Sequence, residues 1–187
     1  MMIGRYQKRK QTEAQIARIA IYSALLFVLA VAESSFFGSL AILPATPDLI
    51  LGLLTVVAVT DTRETAAITA IIGGVMADAI CGVGIYLSPL FYFALVLILH
   101  PFAKKMMRSY LSWLTLFPVA LVFRAAYTLG RAYLFGADLG FTEILRYAVL
   151  PEVICTAIFS LVLYPLLTLC ARLTQGKRGI SQGTGDF

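Results

Sequence analysis

Five ionisable side chains stand inside long apolar runs: Glu33, Asp78, Arg124, Arg131 and Glu152. A charge at the centre of a bilayer costs roughly 2.5 to 3.5 kcal/mol on insertion scales, so such groups face other protein or a wet cavity. Two kinds of chemistry are open to them. They can form a site for an ion, a proton or an anionic substrate, or they can compensate one another and lock helices in register. At about 1.5 Å of rise per residue, Asp78 and Arg124 each lie about 20 Å from one edge of the membrane, and Glu152 lies about 9 Å below the other. That common depth lets the three meet. One Arg with two carboxylates makes a compensated cluster, and the presence of a single deep Arg favours the lock. Arg124, Tyr127, Thr128 and Arg131 fall at i, i+3, i+4 and i+7, which gives their helix one polar face that must be buried. His100 is the sole histidine, so multi-histidine metal sites are excluded, and neither a Ser-His-Asp nor a Cys-His arrangement is expected. Its place beside Pro101 and ahead of Lys104 and Lys105 predicts an interfacial residue. Cys81, Cys155 and Cys170 are odd in number and far apart, each in an apolar run, and read as packing residues. No cofactor or metal is expected, and no enzyme activity.

The elements that must hold these groups are membrane helices. Of 187 residues, 60% are hydrophobic and 13% charged, with a mean hydropathy of +0.88. Soluble domains carry about a quarter charged residues, so a separate soluble catalytic domain is excluded. The net charge of +5 does not mark a nucleic-acid binder, because the cations lie between apolar runs and at the ends, without an aromatic-interleaved stripe. A spanning helix needs roughly 20 mostly apolar residues, which leaves room for six. The first begins at Ile19, after the basic stretch 1–18. Alternatively, Ala30-Val31-Ala32 closes a cleavable signal peptide, but Glu33 and the continuing Phe36-Phe37 favour a retained helix. The second runs over 48–60, where Pro47 presets the backbone and Asp48 places an anion at the positive helix end. The others are predicted over 65–81, 85–102, 110–135 and 146–172.

The fold class is therefore all-α, a polytopic bundle of six transmembrane helices. With six spans the loops alternate sides, and twelve Lys and Arg fall on one side against Arg131 and Arg146 on the other. The cation-rich side is cytoplasmic, and with it both termini. The predicted organisation is a basic arm at 1–18, a six-helix domain at 19–173 and a disordered tail at 174–187 that is rich in Gly, Ser and Gln. A bacterial inner membrane is the natural home. On the third helix Ala66, Ala70, Gly74, Asp78 and Gly82 recur every four residues, a small-residue stripe that lets two backbones approach. It serves either packing within the bundle or docking of a partner's helix.

Glu33 with Phe36-Phe37, the run Pro47-Asp48-Leu49-Ile50-Leu51, a short polar turn, and Gly74-x3-Asp78-x3-Gly82 with Gly84 together resemble MreD, the rod-shape-determining membrane protein family. The resemblance covers roughly residues 31–97 and does not extend to the last two helices. It implies a non-enzymatic scaffold of the bacterial cell-elongation machinery. The implied partners are MreC, the RodA-type glycosyltransferase with its transpeptidase, and MreB filaments, with the lipid bilayer around it and no small-molecule substrate or nucleic acid. The family is similar in architecture to the S components of energy-coupling-factor transporters. The alternative is therefore a vitamin-type uptake subunit, although the outer loops look short and poor in polar groups for such a pocket.

Overall fold

The computed structural model describes residues 2–37, 47–81, 87–105, 110–135 and 140–175, and nearly all of these are helical with no strand among them. Helix α1 spans Met2–Ala32 and continues through a π-helical turn, Glu33–Phe37. Then come α2 (Leu49–Thr60), α3 (Arg63–Cys81), α4 (Ser88–Lys105) and α5 (Tyr110–Leu134). Helix α6 begins as Phe141–Ile144, passes through a π turn at Leu145–Val149 and continues over Leu150–Gln175. The first helix thus starts well before Ile19, and the described part of the basic arm is a direct continuation of it. The Gly-rich turn after α3, the loop holding Asp138 and the tail beyond Gln175 lie outside the described residues.

The bundle is organised around α2. Its sequence LILGLLTVVAVT is apolar on every side, a pattern that belongs in a core, and Leu49 through Val59 are all buried. At twelve residues it is about 18 Å long, too short to cross a hydrocarbon layer of about 30 Å unaided. Its ends are therefore closed by protein. Around it stand Tyr22, Leu26 and Ala30 of α1, Ala66 and Ala70 of α3, Tyr92, Leu95 and Leu99 of α4, and Trp113, Phe117 and Ala120 of α5, all buried. A cleaved first helix would strip away one wall of this core.

Close backbone approach sets two of the walls. A Cβ on Gly74 would collide with the Pro89 backbone, so α3 and the first turn of α4 touch through bare backbone. A Cβ on Gly52 would meet Ser160 Oγ at 2.7 Å, which brings α2 against α6. The outward faces are apolar: Phe27 and Val28, Ile71 and Val75, Val122 and Phe123, and Ile158 and Val162 are exposed. Among the described residues three stretches are long and apolar enough to cross a bilayer, Thr12–Ser35, Ser112–Leu134 and Phe141–Leu166.

Candidate functional site

The first residue ahead of α2 collects most of the buried charge. Asp48 caps the helix, its Oδ1 accepting the Leu51 N–H at 2.8 Å, and this is the ordinary service of an N-cap aspartate. Its second oxygen turns away from the helix. Oδ2 accepts from the Tyr92 hydroxyl at 2.6 Å and lies 3.1 Å from Arg124 Nε. The same Nε donates to Glu152 Oε1 at 2.8 Å, while Thr128 Oγ1 donates to Glu152 Oε2 at 3.0 Å. Arg124 Nη1 reaches the Tyr92 hydroxyl at 3.3 Å. Backbone donors complete the group: the Leu49 N–H is given to Glu33 Oε2 at 3.2 Å, and the Asp48 N–H to Thr156 Oγ1 at 2.9 Å. Asp48 and Glu152 thus share one guanidinium and are each met by a hydroxyl donor, while Glu33 and Asp48 take N–H groups at the positive end of α2, whose partial charge also favours anions.

Five helices contribute to this knot. Both π turns sit beside it: Glu33 opens the first, and the second ends at Val149, three residues before Glu152. The ring of Pro151 would press on the Tyr147 carbonyl in an unbroken α-helix, and the wider π turn ahead of it relieves that contact. Three aromatic rings surround the guanidinium carbon of Arg124, with centroids at 5.4 Å for Tyr127 and 6.0 Å for both Phe91 and Tyr92. The Arg124 and Glu152 side chains are only 15% and 14% exposed.

Asp78 is not among Arg124's partners, which corrects the expectation from depth. It faces the start of α4, where its Oδ2 accepts the Ser88 N–H at 3.0 Å and its Oδ1 accepts the Ser88 hydroxyl at 2.5 Å. The free N–H at a helix start is a strong donor, and Asp78 reaches it across the α3–α4 turn. Height alone does not fix the direction a helix residue faces. Tyr127 joins the two groups, its hydroxyl 3.1 Å from Ser88 Oγ and its ring beside Arg124. Arg131 is half-buried one heptad above Arg124 and makes no ion pair among the described residues, so it stands outside the cluster.

The small-residue stripe packs inside the chain. Ala66 and Ala70 are buried and Gly74 abuts Pro89, so a partner's helix has no access there; Gly82 lies outside the described residues. Pro47, Asp48 and Leu49 are all buried at the start of α2. His100 is buried against α2, its Nδ1 3.1 Å from the Ala58 carbonyl oxygen. Cys155 is buried and free.

A second ionic contact closes the other end of α2. Arg18 Nη1 donates to Asp61 Oδ1 at 2.7 Å, and the Tyr22 hydroxyl to Asp61 Oδ2 at 3.2 Å. An acid at a helix C-terminus meets the negative end of the dipole, and Arg18 offsets that. Sequence spacing missed this pair because 43 residues separate its members.

Among the described residues no group of three or more His, Cys, Asp or Glu is arranged to hold a metal ion. No family model, curated protein or solved structure matches the chain.

Proposed function

We propose that the chain is a non-enzymatic membrane scaffold of the MreD type, a six-span protein of the bacterial inner membrane with both termini in the cytoplasm. The observation that supports this reading most is the use made of the deep charges. Arg124 is shared between Asp48 and Glu152 at 3.1 and 2.8 Å, and these contacts tie α5 to α6 and to the start of α2. Groups spent on one another hold helices in place; they do not leave a reacting atom poised beside a base. The two ends of α2 are fastened in the same way, by Asp48 and by Asp61, about 20 Å apart along the helix. A rigid core of this kind suits a protein whose work is done by its outer faces. In this reading those faces bind MreC and, through it, the RodA-type glycosyltransferase and its transpeptidase, close to MreB filaments.

Affinity purification in mild detergent tests the proposal. Recovery of an MreC-like protein together with wall-synthesis enzymes is the outcome it predicts. Recovery of ABC-type ATPases instead would replace it with the S-component reading.

A further inference from the structure

The knot at the start of α2 is short of positive charge. Glu33, Asp48 and Glu152 bring three carboxyl groups to it, and among the described residues Arg124 is the one guanidinium that meets them. The N-terminal dipole of α2 adds roughly half a positive charge. With every carboxyl ionised, more than one negative charge would stay uncompensated inside the protein, and a buried charge without a partner takes up a proton instead.

The hydrogen bonds single out one of the three. An ionised carboxylate only accepts, so each of its oxygens calls for a donor. Asp48 has them, with the Leu51 N–H at Oδ1 and the Tyr92 hydroxyl and Arg124 at Oδ2. Glu152 has them too, with Arg124 at Oε1 and the Thr128 hydroxyl at Oε2. Glu33 differs. Its Oε2 takes the Leu49 N–H at 3.2 Å, and its Oε1 meets no donor among the described residues, although the residue is only 9% exposed. A neutral acid fits this place, because its carbonyl oxygen can accept the Leu49 N–H while the other oxygen holds the proton.

The surrounding groups favour the same assignment. Asp48 of α2 acts on Glu33 more strongly than Arg124 of α5 does, Glu152 of α6 adds to Asp48, and Tyr92 of α4 stands near with its hydroxyl already given to Asp48. Asp78 of α3 is bonded to Ser88 instead. Ser34 and Ser35, next along the chain, are exposed and give a proton a polar approach.

We propose that Glu33 carries a proton at neutral pH and that the seam between the end of α1 and the start of α2 takes up this proton as it closes. Losing it sets two carboxylates, Glu33 and Asp48, against each other at one helix end. The lock is therefore complete while Glu33 is neutral and weakens as the pH rises far enough to ionise it. This inference rests on the contacts of the knot and not on the scaffold proposal.

Infrared spectroscopy of the full chain in dodecyl maltoside, a detergent without ester carbonyls, provides the test. At neutral pH the natural chain should show the carbonyl stretch of a neutral carboxylic acid, shifted by isotope-labelled glutamate and unmoved by isotope-labelled aspartate. Glu33→Gln, which keeps the acceptor for Leu49 without a charge, should lose the band and melt at the natural temperature. Glu152→Gln should keep the band. The melting temperature of the natural chain should fall as the pH is raised until the band disappears, and Glu33→Gln should not show that fall. Absence of a glutamate band from the natural chain overturns the inference, and so does a band that persists in Glu33→Gln or disappears in Glu152→Gln. Should Glu33→Gln fail to fold, the labelled natural chain and Glu152→Gln still decide. None of these readings involves a partner, so they can fail without touching the scaffold proposal.

Discussion

Arg124 is the residue on which the deep charges depend. Removing it leaves the Asp48 and Glu152 carboxylates buried without their cation, and breaking a buried pair costs about 3 to 5 kcal/mol. Arg124→Leu should therefore lower the melting temperature in detergent substantially. Adding Glu152→Gln or Asp48→Asn should recover part of that loss, and adding Asp78→Asn should recover none, because Asp78 is bonded to Ser88. Rescue by the Asp78 change would contradict the assignment of partners. Tyr92 offers a milder check. Its hydroxyl donates to Asp48 at 2.6 Å, and a hydrogen bond to a charged group contributes about 1.5 to 3 kcal/mol, so Tyr92→Phe should cost about that much in a denaturation measurement. The sequence disclosed Arg124, Glu152 and Glu33 because a charge in an apolar run is conspicuous. It did not disclose Tyr92, which looks like one more aromatic between Phe91 and Phe93. Asp48 was legible as a helix cap, but its second oxygen is engaged by residues 44 and 76 positions further along the chain, and no local spacing carries that.

At the level of elements, α2 was legible almost to the residue, since Pro47-Asp48 marks its start and the apolar run its length. Its burial at the centre was not, because an apolar run of twelve residues reads equally as a short span or a core helix. Two variants probe how it is held. Gly74→Leu must drive a side chain into the backbone of Pro89, where nothing flexible can yield; the α3–α4 hairpin should open and the folded yield in detergent should fall. Val75→Leu, one residue along on an exposed face, should stay within about 0.5 kcal/mol of the natural chain. A normal yield for Gly74→Leu would mean that the two backbones do not touch. At the other end of α2, Arg18→Leu should cost about 3 to 5 kcal/mol by stranding Asp61, whose side chain is fully buried. High salt should leave that contact largely intact, since screening acts mainly on exposed pairs. The extension of α1 back to Met2 escaped the sequence reading because the basic stretch has no apolar face to mark a helix.

For the whole molecule, composition alone points to membrane helices, and the asymmetry of Lys and Arg predicts which side each loop occupies. A reporter fused after Phe187 should lie in the cytoplasm, and reporters inserted at Gly84 or Gly136 should lie outside. An external carboxyl terminus would break the six-span count. The central claim is that the knot at the start of α2 is structural and that function resides on the outer faces. The measurement that tests it most directly is partner recovery by the double variant Arg124→Leu/Glu152→Gln, expressed as the full chain and purified in mild detergent beside the natural protein. If the knot is a lock, a variant that has regained stability should bring down the same MreC-like and wall-synthesis proteins in the same yield. Stability regained with those partners lost would contradict the account, because it would make Arg124 and Glu152 part of a working site.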